Sequence, residues 1–147
     1  MERQNVVRLL VRAEKARRAA MQPYFTKIGI SFGQGHARIL NALLSKDGVS
    51  QRELADVCHM DVTTMSRNLD KLEAQGYLRR DRDPECRRAF LICLTEEGRG
   101  VAQNVHEFFH EVGEQIWAGF DEQEMERFCA DLTKICESLE GMELKRD

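Results

Sequence analysis

The sequence has no long apolar run, only two prolines among its 147 residues, and no closely spaced pair of cysteines. Because no run of about 18 apolar residues occurs, a transmembrane helix is excluded. Arginines interrupt the N-terminal segment, which lacks the apolar core of a signal peptide, so we expect a cytoplasmic protein. An odd number of cysteines without a CxxC pair favours reduced thiols over a disulfide framework.

Motifs of enzyme chemistry are also missing from the sequence. It contains no nucleophile elbow, no phosphate-binding loop and no zincin motif. A small thiol-dependent enzyme is therefore the least supported function, and we expect neither catalytic residues nor a cofactor.

Charge is distributed unevenly along the chain. The net charge of −3 combines +5 in residues 1–27, +1 in residues 28–94 and −9 in residues 95–147. Five arginines lie between Tyr77 and Phe90. A site for a polyanion is therefore expected in the middle of the chain and not at its acidic C-terminus. If the two ends share a surface, the basic first helix and the acidic last helices would attract each other.

Apolar periodicity predicts long helices at both ends of the chain. The N-terminal helix is expected to be broken by Pro23 and by the glycine-containing region 29–35, because proline and glycine both interrupt helices. Thr95 is expected to begin a helix that runs to about Gly119, and Asp121 begins the last one. The apolar residues of that last helix repeat at heptad-like spacing, which requires a partner surface in the first helix or in a second subunit: Met125, Phe128, Leu132, Ile135, Leu139 and Met142.

The middle of the chain predicts three short helices. The first is expected over residues 34–45. Ser50 and Glu53 form a capping-box pattern that begins the second, in which Leu54 and Val57 are expected to face inward. The third begins after the N-cap Asp61, and its predicted apolar stripe consists of Val62, Met65, Leu69 and Leu72.

A β-hairpin is predicted after these helices. Short runs of branched and aromatic residues lie on both sides of a polar turn at Asp83-Pro84. Two short helices joined by a turn and followed by a hairpin describe a winged helix-turn-helix. On its polar side the third helix has small groups that can approach base edges and basic groups that can reach guanine or phosphate: Thr63, Thr64, Ser66, Arg67, Asn68 and Lys71.

The text from "GVSQRELADVCHMDVTTMSRNLDKLEAQGYLRR" to "DPECRRAFLICLTEEG" resembles the MarR family of transcription regulators. The resemblance implies a mainly α fold with a small β-hairpin wing. Residues 33–94 would form the winged helix-turn-helix DNA-binding domain, and residues 1–32 and 95–147 a helical dimerisation region. It also implies a homodimer that reads an inverted-repeat operator in double-stranded DNA, more often as a repressor than as an activator, and is released by a small-molecule inducer or an oxidant.

The resemblance also implies which residues contact DNA. Those of the third helix would face the major groove, those before it would meet phosphates, and the wing arginines would lie at the minor groove, whose negative potential favours guanidinium. One departure is Cys86, which stands where the family usually has an aspartate that orients wing arginines; Asp81, Asp83 or Glu85 could supply that pairing. The implied DNA-binding residues are Gln51, Arg52, Thr63, Thr64, Ser66, Arg67, Lys71, Arg82, Arg87 and Arg88.

Cys86 is a candidate redox site, because neighbouring cations such as Arg87 and Arg88 favour the reactive thiolate form of a cysteine. Oxidation there would disturb the wing and release DNA. The alternative is a surface thiol without a role, which we favour. The other cysteines are expected to be small buried hydrophobic residues: Cys58, Cys93, Cys129 and Cys136.

Two further sites follow from the resemblance or from spacing. A ligand pocket where the dimer helices meet the winged domain would be lined by Tyr24, Phe25, His36 and Arg38, for which simple packing is the alternative interpretation. His106 and His110 are four residues apart, a spacing that can bind a metal from one helical face. Exposed histidine pairs are common in Glu-rich helices, so we expect no metal site.

A protein-protein adaptor that uses the same scaffold without reading DNA is a further alternative. An adaptor has no need for a hydroxyl-rich helix or for an arginine-rich wing, so the sequence favours a DNA-binding regulator.

Overall fold

The computed structural model describes residues 3–31, 33 and 35–143. The helices are α1 (Gln4–Ile28), α2 (His36–Ser45), α3 (Gln51–Val57), α4 (Val62–Ala74), α5 (Glu96–Trp117) and α6 (Glu122–Glu143). The strands are β1 (Val49–Ser50), β2 (Leu78–Asp83) and β3 (Cys86–Leu94). They form an antiparallel sheet in the order β1-β3-β2. The predicted mainly α fold with a small hairpin wing is thereby confirmed.

The chain divides into two compact units, residues 1–107 and residues 108–147. The first unit contains α1 to α4, the sheet and the first half of α5. The second contains the end of α5 and all of α6. In the described part of the chain, no helix is both long and apolar enough to cross a lipid bilayer.

The core of the first unit lies between the helices and the sheet. Its side chains come from nearly every element, so the short helices are stabilised by tertiary packing and not by their own length. Those that are completely inaccessible to solvent include Phe25, Ile39, Leu40, Leu43, Met65, Leu69, Leu72 and Ile92.

Of the two predicted breaks, the one at Pro23 is wrong, because α1 continues to Ile28, and the one in region 29–35 is confirmed. Proline removes one backbone hydrogen bond from a helix, a cost that tertiary contacts can offset. Met21 and Phe25, on either side of the proline, are both buried. The helix ends instead at Gly29, whose φ of 74° is the left-handed conformation that favours glycine.

The predicted start of α5 is confirmed in its hydrogen bonds. The Thr95 hydroxyl donates to the Gly76 carbonyl at 2.6 Å and accepts from the Gly98 N–H at 3.0 Å, so it caps the helix and joins it to the end of α4. Gly98 packs against the backbone of Tyr77, and a Cβ at this position would overlap the Tyr77 carbonyl. This contact requires glycine.

Several cysteines differ from the prediction that they are buried. Cys58 is buried as expected, and Cys93 is half-buried. Cys129 and Cys136 are exposed on α6 in the single chain. The prediction assumed that the α6 seam is covered, but no described side chain of residues 108–142 is buried within this chain.

Candidate nucleic-acid interface

The helix-turn-helix consists of α3, a turn and α4, and both predicted N-caps are confirmed. Ser50 accepts from the Glu53 N–H at 3.1 Å, and the Glu53 carboxylate accepts from the Ser50 N–H at 3.4 Å. In the turn, His59 has a φ of 51°, an uncommon conformation for a residue other than glycine. Asp61 then accepts from the Thr64 N–H at 2.8 Å. These contacts fix the angle at which α4 begins.

Helix α4 has a buried side and an exposed recognition face. Met65, Leu69 and Leu72 are completely buried, as the sequence predicts. Val62 was expected to join them but is 60% exposed, and Val57 on α3 is 66% exposed. Val57 is the last residue of α3 and Val62 the first of α4, so apolar spacing alone overstates the length of the buried side.

The recognition face contains the side chains of Thr63, Thr64, Arg67 and Lys71, which are exposed, and that of Ser66, which is half-buried. Thr64 differs from its neighbours because its hydroxyl donates to Asp61 at 2.6 Å. These hydrogen bonds lower the pKa of Asp61 below its ordinary value, with the side-chain bond from Thr64 as the main cause. Thr64 therefore stabilises the start of the helix, and its hydroxyl proton is already committed.

Asn68 was predicted on the recognition face, but the structure buries it. Its side chain is 4% exposed, and its Oδ1 lies 3.0 Å from Nε2 of His36, which is 2% exposed. The Asn68 amide also donates to the sulfur of Met60 at 3.4 Å. The sequence contains a signal for this burial, because Asn68 follows Met65 by three positions and precedes Leu72 by four.

Burial of His36 has an electrostatic consequence. Removal from solvent lowers the pKa of its imidazole, the charge of Lys71 acts in the same direction, and the bond to Asn68 opposes both. The other ring nitrogen, Nδ1, is buried without a hydrogen-bond partner among the described residues. His36 is therefore held neutral beneath the recognition helix.

The hairpin divides its arginines into two groups. Arg80 on β2 forms ion pairs with Asp70 at 2.7 Å and Glu73 at 3.2 Å, both on α4. Arg79 pairs with Asp81 at 3.0 Å and donates to the Leu94 carbonyl at 3.2 Å. Arg80 therefore attaches the hairpin to α4, whereas both contacts of Arg79 lie within the hairpin.

The second group comprises Arg82, Arg87 and Arg88, which we call the wing arginines. All three are exposed, and within the described residues none of them has a carboxylate partner. The Arg82 guanidinium lies 6.0 Å from the centre of the Phe90 ring, the outer limit of a cation–π contact. An irregularity in strand register falls between Arg82 and Asp83.

Two of the three carboxylates that could replace the family aspartate, Asp81 and Asp83, have other partners. Asp81 accepts from Arg79 at 3.0 Å. Asp83 accepts from the Glu85 N–H at 2.9 Å and so stabilises the hairpin turn. None of the described carboxylates takes over the pairing that an aspartate at position 86 would provide, and Cys86 itself is exposed.

A cavity of about 400 Å³ opens beside the start of α4. Of the predicted ligand-lining residues, Arg38 lines it and donates to the Cys58 carbonyl at 2.9 Å. Phe25 is fully buried and packs edge-to-face against Tyr24, with ring centres 5.5 Å apart. The structure therefore does not bring the four predicted residues together on this cavity. Its lining consists of Gly33, Arg38, His59, Met60, Asp61, Thr64, Arg67, Asn68 and Lys71.

The remaining predicted site residues lie apart from this cavity. Gln51 is half-buried and Arg52 exposed at the first turn of α3. His106 on α5 makes a hydrogen bond through Nδ1 to the Asn41 side chain at 2.9 Å, and His110 is exposed one turn later. Among the described residues, no three histidines, cysteines or carboxylates cluster in a way that could hold a metal ion.

A helix-turn-helix followed by a two-stranded hairpin defines the winged helix-turn-helix class of proteins. The MarR family model matches residues 28–89. The HTH-type transcriptional regulator BilQ of Clostridium symbiosum is 30% identical over 115 residues, which are 78% of this chain and 78% of that protein. The chain therefore belongs to the MarR family of transcription regulators.

Solved structures agree with this assignment. The MepR–DNA complex of S. aureus is 26% identical, covers 95% of this chain and 99% of its own, and has a TM-score of 0.76. Streptococcus pneumoniae FabT in complex with DNA has a TM-score of 0.82 and covers 96% of this chain and 99% of its own. At 20% identity, FabT supports the fold alone.

Proposed function

We propose that the chain is a homodimeric repressor that binds an inverted-repeat operator in double-stranded DNA and is released by a small ligand or an oxidant. In each copy, α4 enters the major groove and the wing arginines reach the adjacent minor groove. The observation that carries this proposal is the division of the hairpin arginines. Arg79 and Arg80 are neutralised by carboxylates, whereas the wing arginines are exposed without such partners.

The recognition face supports sequence reading by this helix. Thr63 and Arg67 project from the exposed side of α4. Arginine can bond to two acceptors of guanine in the major groove. Thr64 contributes differently from the expectation, because its hydroxyl is bonded to Asp61. We therefore assign it to orienting the start of the helix and Thr63 and Arg67 to base contacts.

The Arg80 ion pairs support a fixed relation between wing and recognition helix. Each pair is partly exposed and contributes modestly to stability. Their value for DNA binding is geometric, since two contacts from one guanidinium to Asp70 and Glu73 restrict how the hairpin can move relative to α4. A rigid spacing between the two elements suits simultaneous contact with adjacent grooves.

The homodimer is supported by apolar surface that one chain leaves uncovered. On α6, Phe128, Leu139 and Met142 are each more than 50% exposed. On α1, Val7 and Leu9 are 60% and 54% exposed. The acidic C-terminal helices and the basic N-terminal helix are complementary in charge. We propose that a second copy of the chain covers these faces.

Release by an inducer or an oxidant would act through two features that lie beside the proposed DNA-binding residues. The cavity beside α4 includes Arg67 and Lys71, which are proposed DNA-binding residues, so a small molecule bound there would compete with DNA. Cys86 is exposed at the start of β3, next to Arg87 and Arg88. Oxidation at this position would alter the wing.

DNA binding can be tested by selecting a preferred duplex from a random pool and measuring its affinity by fluorescence anisotropy over a salt series. We expect Arg67→Ala to weaken binding of the selected duplex by roughly 5- to 150-fold, equivalent to about 1–3 kcal/mol, while affinity for unrelated DNA changes little. Arg87→Ala should weaken binding to all sequences and lower the salt slope by about 1.

Lys46→Gln is the matched control, because it removes an exposed positive charge at the end of α2, outside the proposed set. It should leave both the affinity and the salt slope unchanged. If the wild-type protein shows no salt-dependent preference for any selected duplex, the proposal is wrong and an adaptor role becomes the better interpretation.

A further inference from the structure

We propose that Met60 is an oxidation site at which hypochlorous acid, by converting the thioether to a sulfoxide, loosens the recognition helix and releases DNA. This inference rests on the proposed DNA-binding function. It assigns an oxidant response to a methionine in the turn of the helix-turn-helix and not to Cys86 in the wing.

Met60 lies at the junction that sets the direction of α4. Its N–H donates to the Ala55 carbonyl at 3.0 Å, which closes the end of α3. It follows His59, whose backbone is left-handed, and precedes Asp61, which caps α4. A displacement of Met60 therefore acts on both helices of the motif.

The sulfur of Met60 is part of a buried polar chain. It accepts from the Asn68 amide at 3.4 Å, and Asn68 Oδ1 lies 3.0 Å from His36 Nε2. Asn68 is 4% exposed and His36 is 2% exposed. Because buried polar groups left without partners are costly, the sulfur helps to satisfy an amide that points into the core from the recognition helix.

The methyl end of Met60 is tightly enclosed. Gly35 lies against its Cε so closely that a Cβ on Gly35 would overlap it. Close-packed contacts of this kind transmit small displacements to neighbouring elements. The side of the sulfur that faces Asn68 has no room for an added oxygen. Only 3.4 Å separates the sulfur from the amide nitrogen. A hydrogen bond from that nitrogen to the new oxygen would take up about 2.9 Å by itself.

The chemistry is a two-electron oxidation of the thioether. Sulfur supplies an electron pair, a sulfur–oxygen bond forms, and the oxygen–chlorine bond of hypochlorous acid breaks. Chloride leaves and the proton of the acid passes to solvent. The product is polar and chiral in place of a flexible apolar side chain, and methionine sulfoxide reductases restore the thioether.

Access distinguishes Met60 from the other described methionines of its unit. Met60 is half-buried and lines the open cavity of about 400 Å³ beside α4. Met65 is fully buried one turn into the helix, and Met21 is 4% exposed. Susceptibility to oxidation follows exposure, so an oxidant small enough to enter the cavity reaches Met60 first within this unit.

The test uses the full chain and the selected duplex. Protein is treated with limiting hypochlorous acid, then with dithiothreitol to reverse cysteine oxidation, and its affinity for DNA is measured by anisotropy. We expect binding to weaken by about tenfold or more, equivalent to about 1.4 kcal/mol. Dithiothreitol alone should not restore it, whereas methionine sulfoxide reductases A and B should. Peptide mass spectrometry locates the added oxygen.

Variants separate this site from the alternatives. Met60→Leu should keep its affinity after oxidation, whereas the matched control Met21→Leu, in the core of the same unit and outside the proposed dimer and DNA surfaces, should lose it as the wild type does. Met60→Gln should bind DNA more weakly than Met60→Leu without any oxidant. If Met60→Leu proves unstable by circular dichroism, the comparison of Met60→Gln with untreated wild type decides, and equal affinity overturns the inference.

Two outcomes contradict the inference directly. One is complete oxidation of Met60 with unchanged affinity, and the other is protection by Cys86→Ser, which would assign the response to the thiol. Untreated protein that binds no duplex contradicts the proposed function instead. In that case the side-chain amide NMR signal of Asn68 tests, without DNA, whether oxidation of Met60 disturbs the recognition helix. The signal must shift on oxidation in wild type and not in Met60→Leu.

Discussion

The two units of the chain differ in where their apolar side chains go. Every buried apolar side chain of the described chain belongs to residues 1–107, from Met21 to Val105. In residues 108–142 the large apolar side chains are half-buried or exposed, and Ile116, Phe120 and Phe128 are each more than 50% accessible. One unit carries its own core, whereas the other leaves its large apolar side chains at least partly accessible to solvent.

This difference explains how the same kind of sequence pattern has two outcomes. In the stripe of α4, Met65, Leu69 and Leu72 are completely buried, because α4 packs against α3 and the sheet of the same chain. The heptad-like stripe of α6 is equally regular, and within its own unit it gains contacts such as the edge-to-face pair of Trp117 and Phe128 at 5.7 Å. Exposed apolar patches are common sites of protein association, which is the basis of the homodimer proposed above.

The strongest test of the self-sufficient core is Leu69→Ala. Leu69 is completely buried, and truncating such a leucine costs about 2–5 kcal/mol through lost burial and the remaining cavity. We expect this loss in urea denaturation, with the same value at low and high protein concentration. A loss below about 1 kcal/mol, comparable to that of a surface substitution, would show that the core is not specifically packed here.

A second test addresses the partner surface through Leu139→Asp. Leu139 is 53% exposed in the single chain, so a monomer tolerates a carboxylate there, whereas a dimer would have to bury it. We expect self-association to weaken by at least about tenfold, or 1.4 kcal/mol, in sedimentation velocity while the helical circular dichroism is retained.

Ser138→Asp is the matched control for that experiment. Ser138 precedes Leu139 on α6, is exposed, and donates to the Lys134 carbonyl at 2.8 Å. The same charge is thereby added one position away from the apolar stripe, and self-association should be unchanged. Equal behaviour of the two variants would contradict a dimer that uses the stripe.

Local patterns predicted the elements because the contacts that define them are local. The Ser50–Glu53 box and the Asp61 cap span three residues each, and both form as expected. The hairpin also follows from its own composition and turn. The break expected at Pro23 does not occur, and Pro23 lies inside α1 between the buried side chains of Met21 and Phe25.

The details of the candidate site depend on contacts between residues far apart in the sequence. Asn68 is buried because His36, 32 positions earlier, meets it. Arg80 is neutralised because the fold brings it to Asp70, ten positions earlier. The sequence shows five arginines in the hairpin region and does not distinguish those that attach the wing from those that remain exposed. That distinction needs the path of the chain.

The smallest effect concerns pH and the core of the first unit. Burial lowers the pKa of His36 below its ordinary value of 6.5, so the unfolded chain binds the proton more readily than the folded one. Stability from the neutral imidazole is therefore fully present above about pH 6.5 and is lost progressively as the pH falls below it, by at most about 1.4 kcal/mol per pH unit.

His36→Gln, which keeps an amide for Asn68, should reduce this dependence in denaturation between pH 7 and pH 5, a range in which histidines titrate. His59→Gln removes an exposed histidine from the same unit and should leave the dependence intact. Identical pH profiles for wild type and His36→Gln would show that the core does not protect His36 from protonation. The first unit would then differ less from the second than the burial of side chains in the first unit indicates.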